Sequence, residues 1–282
     1  MDSSYAKLAR AKTHLGTLDT QIKAFRKRDT HSWTFTSKDH LFQPELGVIT
    51  VKLKVKEQTP AEWGLIVGDI LTNLRAALDH AVVGHAAKLH TLTEAEERKL
   101  NFPILLNKDQ WLGSPAVQQT ATTPAKPKVD SVQKKLVNYV DSAVLAAIET
   151  CQPYHFATPH DHPLAGLNDL VNRDKHREIQ VVSYVTKALD VTKSDVEVVR
   201  TDITDAPMVD GATAAVLTVR RPLAKPGQKV HKWVPANFHM TTEYGERIML
   251  PSLGVDNDVR GTMGVLVNGV QTTLDELKAA GC

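Results

Sequence analysis

The sequence predicts an α+β protein: a helical core of four to six helices with an early β-hairpin, then a C-terminal part built from antiparallel strands. Three observations carry this. Apolar residues recur every three or four positions through most of residues 1–180, which is the spacing of a helix face. GVITVKLKV at 47–55 alternates every second residue instead, the period of a half-buried strand. Beyond about residue 178 the chain turns to short β-branched runs separated by turn signals such as Asp210-Gly211 and Pro226-Gly227. The expected division is therefore a mainly helical part at 1–180 and a β-rich part with a final helix at 181–282, the two packed as one unit.

Residues 3–27 carry Tyr5, Leu8, Ala11, Leu15, Leu18, Ile22 and Phe25 on one side, and the cations of FRKR suit the negative end of a helix. SWTFTS and GVITVKLKV form the hairpin, with Ile49, Val51, Leu53 and Val55 opposite Val48, Thr50, Lys52 and Lys54. Thr59 as N-cap, Pro60 at the first helical position and Glu62 in the first turn start a helix that runs to about residue 90. TLTEAEERKL opens a short helix with a Thr91–Glu94 capping box. Residues 113–130, rich in Pro, Thr, Ala and Lys, read as a loop. Residues 131–151 read as one amphipathic helix, and Asp161-His162-Pro163 starts the next, over 163–178. Strands follow in IQVVSYVTKAL, DVEVVRTD, ATAAVLTVRR, KVHKWVPANFHM and ERIML. A last helix spans 259–279 in spite of Gly261, Gly264 and Gly269.

Composition removes several classes of function. The chain is 42% hydrophobic and 23% charged, enough for a sizeable core and too apolar for disorder. With 34 Lys+Arg against 32 Asp+Glu, bulk charge cannot hold it on nucleic acid, although a local basic groove can. Cys151 and Cys282 are too few for a disulfide framework or a thiolate zinc site. No apolar run reaches the length of a membrane span and no secretory h-region is visible, so a cytoplasmic location away from membranes is expected. Trp33, Trp63, Trp111 and Trp233 are scattered and give no stacking platform. Glycine-rich phosphate loops, GxSxG and HExxH motifs are absent.

The chemistry lies in two polar stripes. At about 100° per residue, Val67, Leu71, Leu74, Leu78, Ala81 and His85 form the core face of the 60–90 helix, with Asp69, Asn73 and His80 on the opposite side. Arg75 projects elsewhere and has Asp79 one turn away as its partner. On 163–178, Leu164, Leu167 and Val171 face inward, while Asp169, Asn172 and His176 share another sector. An Asp can orient an imidazole and an Asn can hold a substrate, so two such helices together read as a site. The bland reading is two solvated helix faces. His160 and His162, with His155 and Asp161 nearby, form a weak metal pattern, and capping of Pro163 by Asp161 or His162 is the stronger reading. Cys151 reads as a small core residue.

GLIVGDILTNLRAALDHAV, NFPI, QPYH and HPLAGLNDLVNRDKHR, in that order over roughly residues 5–180, resemble a broad family of uncharacterised bacterial proteins. Arg75-x4-His80 on a helix is also similar to the motif of HEPN-type proteins, all-helical domains that include metal-independent ribonucleases. That resemblance implies an RNA endonuclease that needs no cofactor and has a composite site, usually formed across a homodimer. His80 would be its acid or base and Arg75 its phosphate ligand. The pattern differs here at Ala76, where the motif usually carries a polar residue, and the β-rich part is not HEPN-like. In this reading His176 completes the catalytic set, and Asn73, Asp69, Asp169, Asn172, Lys175 and Arg177 hold the substrate. Two alternatives stand beside it. One is a metal-dependent hydrolase using Asp69, His80, Asp169 and His176. The other is a non-enzymatic binding or structural protein whose polar stripes form an interhelical network.

Overall fold

The structure is a computed structural model describing residues 1–43, 45–114, 128, 130–176, 179, 181–184, 190–191, 197–204, 206–220, 240–241, 244–250 and 255–282. The fold is α+β, as the periodicities require. In chain order, helix α1 spans Asp2–Arg26, strand β1 His31–Asp39, β2 Leu46–Val55 and helix α2 Glu62–Leu89. Four short helices follow: α3 at Glu94–Glu97, α4 at Lys108–Leu112, α5 at Val132–Leu136 and α6 at Ser142–Thr150. Helix α7 spans Pro163–His176. Strands β3 (Val182–Tyr184), β4 (Asp190–Val191), β5 (Val198–Ile203), β6 (Thr213–Arg220), β7 (Met240–Thr241), β8 (Gly245–Leu250) and β9 (Val255–Asp258) come next. Helix α8, Val259–Ala279, closes the order. None of the described helices is long and apolar enough to cross a membrane.

The chain forms two compact units, each drawn from separate stretches: Met1–Asp19, Glu62–Ile179 and Met249–Cys282 in one, Thr20–Ala61 and Gln180–Ile248 in the other. These units draw on other stretches than the 1–180/181–282 division: the hairpin falls in the second and the last helix in the first. The hairpin joins the β unit because β2 has a free edge, and β6, far away in sequence, supplies its antiparallel partner. Helix α8 joins the helical unit because its apolar face, with Met263, Leu266, Val270 and Leu274, is buried and packs on α2 and α7.

In the β unit the sheet order is β1-β2-β6-β5, antiparallel throughout. Ile49, Val51, Ala215, Leu217 and Val219 are fully buried on its inner face, with Trp33, Phe35 and Val198 packed against them. The alternation along β2 thus predicts the buried face correctly. Glu246 on β8 is also fully buried, and its charge is neutralised by Arg26, whose Nε donates to Oε1 at 3.0 Å.

In the helical unit α2, α7 and α8 pack on one another. Val67, Leu71, Leu74 and Leu78 of α2 are all fully buried, so the expected core face is the real one. Helix α1 runs antiparallel to α8, joined by Tyr5 to Asp275, Lys12 to Gln271 and Arg260 to Asp19. Helices α7 and α8 approach closely where Gly269 meets Pro163; a Cβ on Gly269 would lie 2.5 Å from the proline's Cβ.

Two local expectations need correction. The capping box is Thr93–Glu96 rather than Thr91–Glu94, although both pairs fit the spacing. The box at 93 places Glu94, Glu96 and Glu97 in the first turn, where the helix dipole favours them. The segment 131–151 is two helices, because Asp141 leaves helical geometry to accept the Val144 N–H at 2.9 Å and cap α6. Asp141 also faces the buried His85, Nε2 to Oδ2 3.0 Å. Helix α2 starts at Glu62, within the two residues by which helix ends vary. The 113–130 loop and KVHKWVPANFHM lie largely outside the described residues.

Candidate functional site

The site grows from a close helix crossing. A Cβ on Gly64 would lie 2.1 Å from the Ile179 carbonyl oxygen, and one on Gly68 would lie 2.9 Å from Asp174 Oδ1. At Gly64, where the neighbour is backbone, only glycine permits the approach; at Gly68 a side chain would have to displace the Asp174 carboxylate. Further along, Arg75 and Asn168 border one cleft, so α2 and α7 are antiparallel. The crossing uses Gly64, Gly68 and Arg75 on α2, and Asn168 and Asp174 on α7. At about 100° per residue the three α2 positions lie about 140° from the Asp69/Asn73/His80 stripe, whereas Asn168 on α7 lies one turn from Asn172.

Arg75 and Asp79 share one task. Arg75 Nη2 donates to the Phe102 carbonyl at 2.7 Å, Arg75 Nε donates to Asp79 Oδ2 at 3.2 Å, and Asp79 Oδ1 accepts the Phe102 N–H at 2.9 Å. Gln152, fully buried, holds the same segment further on. Its Oε1 accepts the Leu105 N–H at 3.0 Å, and its Nε2 donates to the Pro103 and Ile148 carbonyls at 3.0 and 2.8 Å. The 101–105 segment lies in neither helix nor strand, so its buried amide groups need side-chain partners. Arg75, Asp79 and Gln152 supply them. The NFPI and QPYH strings therefore belong to one brace.

The braced segment forms one wall of a cleft of about 660 Å³. Lys99, Lys134 and Lys135 border it, along with the amides of Asn101, Asn138 and Asn168 and the ring of Tyr139. Lys99, Lys134 and Lys135 are exposed, and among the described residues none sits in an ion pair. Glu96, the one acid on the rim among the described residues, is held as an anion below the usual carboxylate range by hydrogen bonds from the Thr93 hydroxyl and N–H and from Tyr139. The Tyr139 hydroxyl, donating to Glu96 at 3.2 Å, is raised above the ordinary phenol value by that bond. The cleft is thus rich in donors, with an apolar floor that includes Pro103 and Leu136.

Among the described residues, Arg75 and His80 border different depressions. His80 is half-buried beside a shallow depression with Ser3, Val83, Gly84, Glu97 and Arg98, its Nδ1 2.7 Å from the Ser3 hydroxyl oxygen. That depression does not include Arg75. Asn73 is half-buried and donates to the backbone carbonyl of Asp69 at 2.8 Å, whereas Asp69 is exposed. Asp169 is half-buried, and Asn172 and Lys175 are exposed. Arg177 and the side chain of His176 lie outside the described residues. Asp174, which abuts Gly68, is 12 residues of α2 from the level of His80, about 18 Å at 1.5 Å per residue. Burial, with the nearby charge of Asp69, raises the Asp174 carboxyl above its usual range.

His162 Nδ1 accepts the Leu164 N–H at 3.2 Å, which is the capping role expected of Asp161 or His162. Burial pushes its pKa below the ordinary value and so preserves the neutral acceptor. Among the described residues no three His, Cys, Asp or Glu side chains group as metal ligands. Cys151 is buried beside Glu276, and both that burial and the acid raise its thiol, which disfavours the thiolate.

No protein-family profile, curated protein or solved structure matches the chain. The reading of the site therefore rests on geometry. Periodicity missed the cleft because its residues come from short segments between long helices. Asn138 and Tyr139 fall where 131–151 breaks, and Gln152 sits just after α6. The quoted strings NFPI and QPYH were the available signal.

Proposed function

We propose that the helical unit is a binding module whose cleft takes a phosphate-bearing ligand, RNA being the partner class that the Arg75-x4-His80 resemblance implies. The observation behind this is the meeting of Lys99, Lys134 and Lys135, from two separate segments, on a wall braced by Arg75, Asp79 and Gln152. Ammonium groups that form no ion pair among the described residues suit phosphate, and a braced wall lowers the ordering cost of binding. In this reading Arg75 acts chiefly on its own chain.

The test is binding of a labelled mixed-sequence RNA and of inorganic tripolyphosphate to wild type and to the double variant Lys134→Glu/Lys135→Glu. For a single strand, log K falls with log salt by about 0.7 per neutralised phosphate, so the variant should lose about 1.4 of that slope together with most of its affinity. Unchanged affinity and slope would rule out the cleft.

A second reading, metal-independent RNA cleavage, is favoured by one observation: the Ser3 hydroxyl engages His80 Nδ1 and leaves Nε2 for proton transfer at an open depression. Because Arg75 and His80 border separate depressions, a second copy of the chain would have to bring one to the other. EDTA-resistant cleavage lost in His80→Ala, with the fold retained, would support it. Cleavage lost on adding EDTA would instead favour the metal hydrolase.

A further inference from the structure

Cations explain only half of the cleft. Tyr139 borders it half-buried, and its ring is held in place: the hydroxyl is tied to Glu96, and the ring of His90 stands edge-on with centroids 6.4 Å apart. Asn101, Asn138 and Asn168 each offer an amide donor and an amide acceptor at the same cleft, a combination that matches the mixed edge of a nucleobase. The volume, about 660 Å³, falls within the range of roughly 300–1,000 Å³ usual for small-ligand sites. A bare polyphosphate would use the lysines and leave the ring and the amides idle.

Resting on the phosphate-binding reading, we infer that the cleft takes a nucleoside phosphate, with its base stacked on Tyr139 and its phosphate at Lys134 and Lys135. The shared chemistry fits a free nucleotide or the exposed nucleotide of an RNA strand. Lys134 also borders a second depression of about 330 Å³, with Leu112, Gly113, Asp130 and Ser131.

Calorimetric titration of the full chain with ATP, a single-stranded RNA octamer and tripolyphosphate tests this. ATP or the octamer binds at least tenfold more tightly than tripolyphosphate, and whichever of the two is tighter identifies the source. Tyr139→Ala weakens that ligand about tenfold, within the usual contribution of one stacked base, and leaves tripolyphosphate unchanged. Tyr139→Phe, which keeps the ring and loses the tie to Glu96, weakens that ligand less than Tyr139→Ala does. If Tyr139→Ala fails to fold, Tyr139→Leu takes its place. Tripolyphosphate binding as tightly as both nucleotide ligands, or the ring-less variant weakening every probe alike, overturns the inference and leaves the phosphate cleft standing. No binding of any probe overturns both.

Discussion

Removing the Arg75 side chain separates a brace from a catalyst. In Arg75→Ala the Phe102 carbonyl loses a charge-assisted donor at 2.7 Å, on a residue that is fully buried. Such a bond contributes about 1.5–3 kcal/mol, and the stranded carbonyl makes the upper part of that range apt. Asp79 also loses its ion-pair partner. With side-chain exposures of 20% and 28%, that pair adds only about 1 kcal/mol, and Asp79 still accepts the Phe102 N–H. The expected loss is about 3 kcal/mol. Equilibrium urea unfolding followed by circular dichroism measures it, with the m-value unchanged if only the native state is weakened. Arg75→Lys should recover less than half, because an ammonium cannot span both acceptors as the planar fork does. A double-mutant cycle with Asp79→Ala should show coupling of about 1 kcal/mol or more. A loss below about 0.5 kcal/mol with ligand binding abolished would refute the brace and make Arg75 a ligand-contacting residue.

Two further outcomes follow from geometry and from titration. Gly84→Ala should stabilise the protein by about 0.5–1 kcal/mol, since its Cβ would meet nothing within 4 Å. Gly64→Ala on the same helix should destabilise it by about 1–3 kcal/mol through the clash with the Ile179 carbonyl, and two thermal melts with the same sign would contradict the crossing. His162 has a folded pKa below its ordinary 6.5, so below that pH the unfolded chain binds more protons and stability rises with pH. Its contribution is complete above about pH 6.5 and is lost as pH falls through the lower folded value. His31, also lowered by burial, adds in the same direction. His162→Asn keeps an acceptor that does not titrate, so its melting temperature should fall less than wild type between pH 7.5 and 5.5; equal falls would exclude the capping histidine as a source.

Long-range periodicity was legible where one face of an element meets one core. The face of Val67, Leu71, Leu74 and Leu78 and the alternation of Ile49, Val51 and Leu53 both lie where the spacing put them. Helix α8 spans 259–279 as expected because its apolar stripe outweighs the propensity cost of three glycines. The placement of hairpin and last helix was not legible, because strand β6 and helices α2 and α7, distant in sequence, decide it. The stripe logic met a similar limit. It found polar residues aligned on each helix but could not tell which sectors face one another, and the glycines at 64 and 68 settle that crossing. Gln152 and Tyr139 follow no period, so only the folded chain brings them to the 101–105 wall or the cleft.

Hydrogen–deuterium exchange of the full chain, with and without a saturating single-stranded RNA octamer, locates ligand on the molecule most directly. The cleft account predicts slowed exchange in two stretches, 99–105 and 132–139, and none around Ser3 and residues 79–84. Protection confined to Ser3 and 79–84, with the two cleft stretches unchanged, would contradict it and move the site to His80.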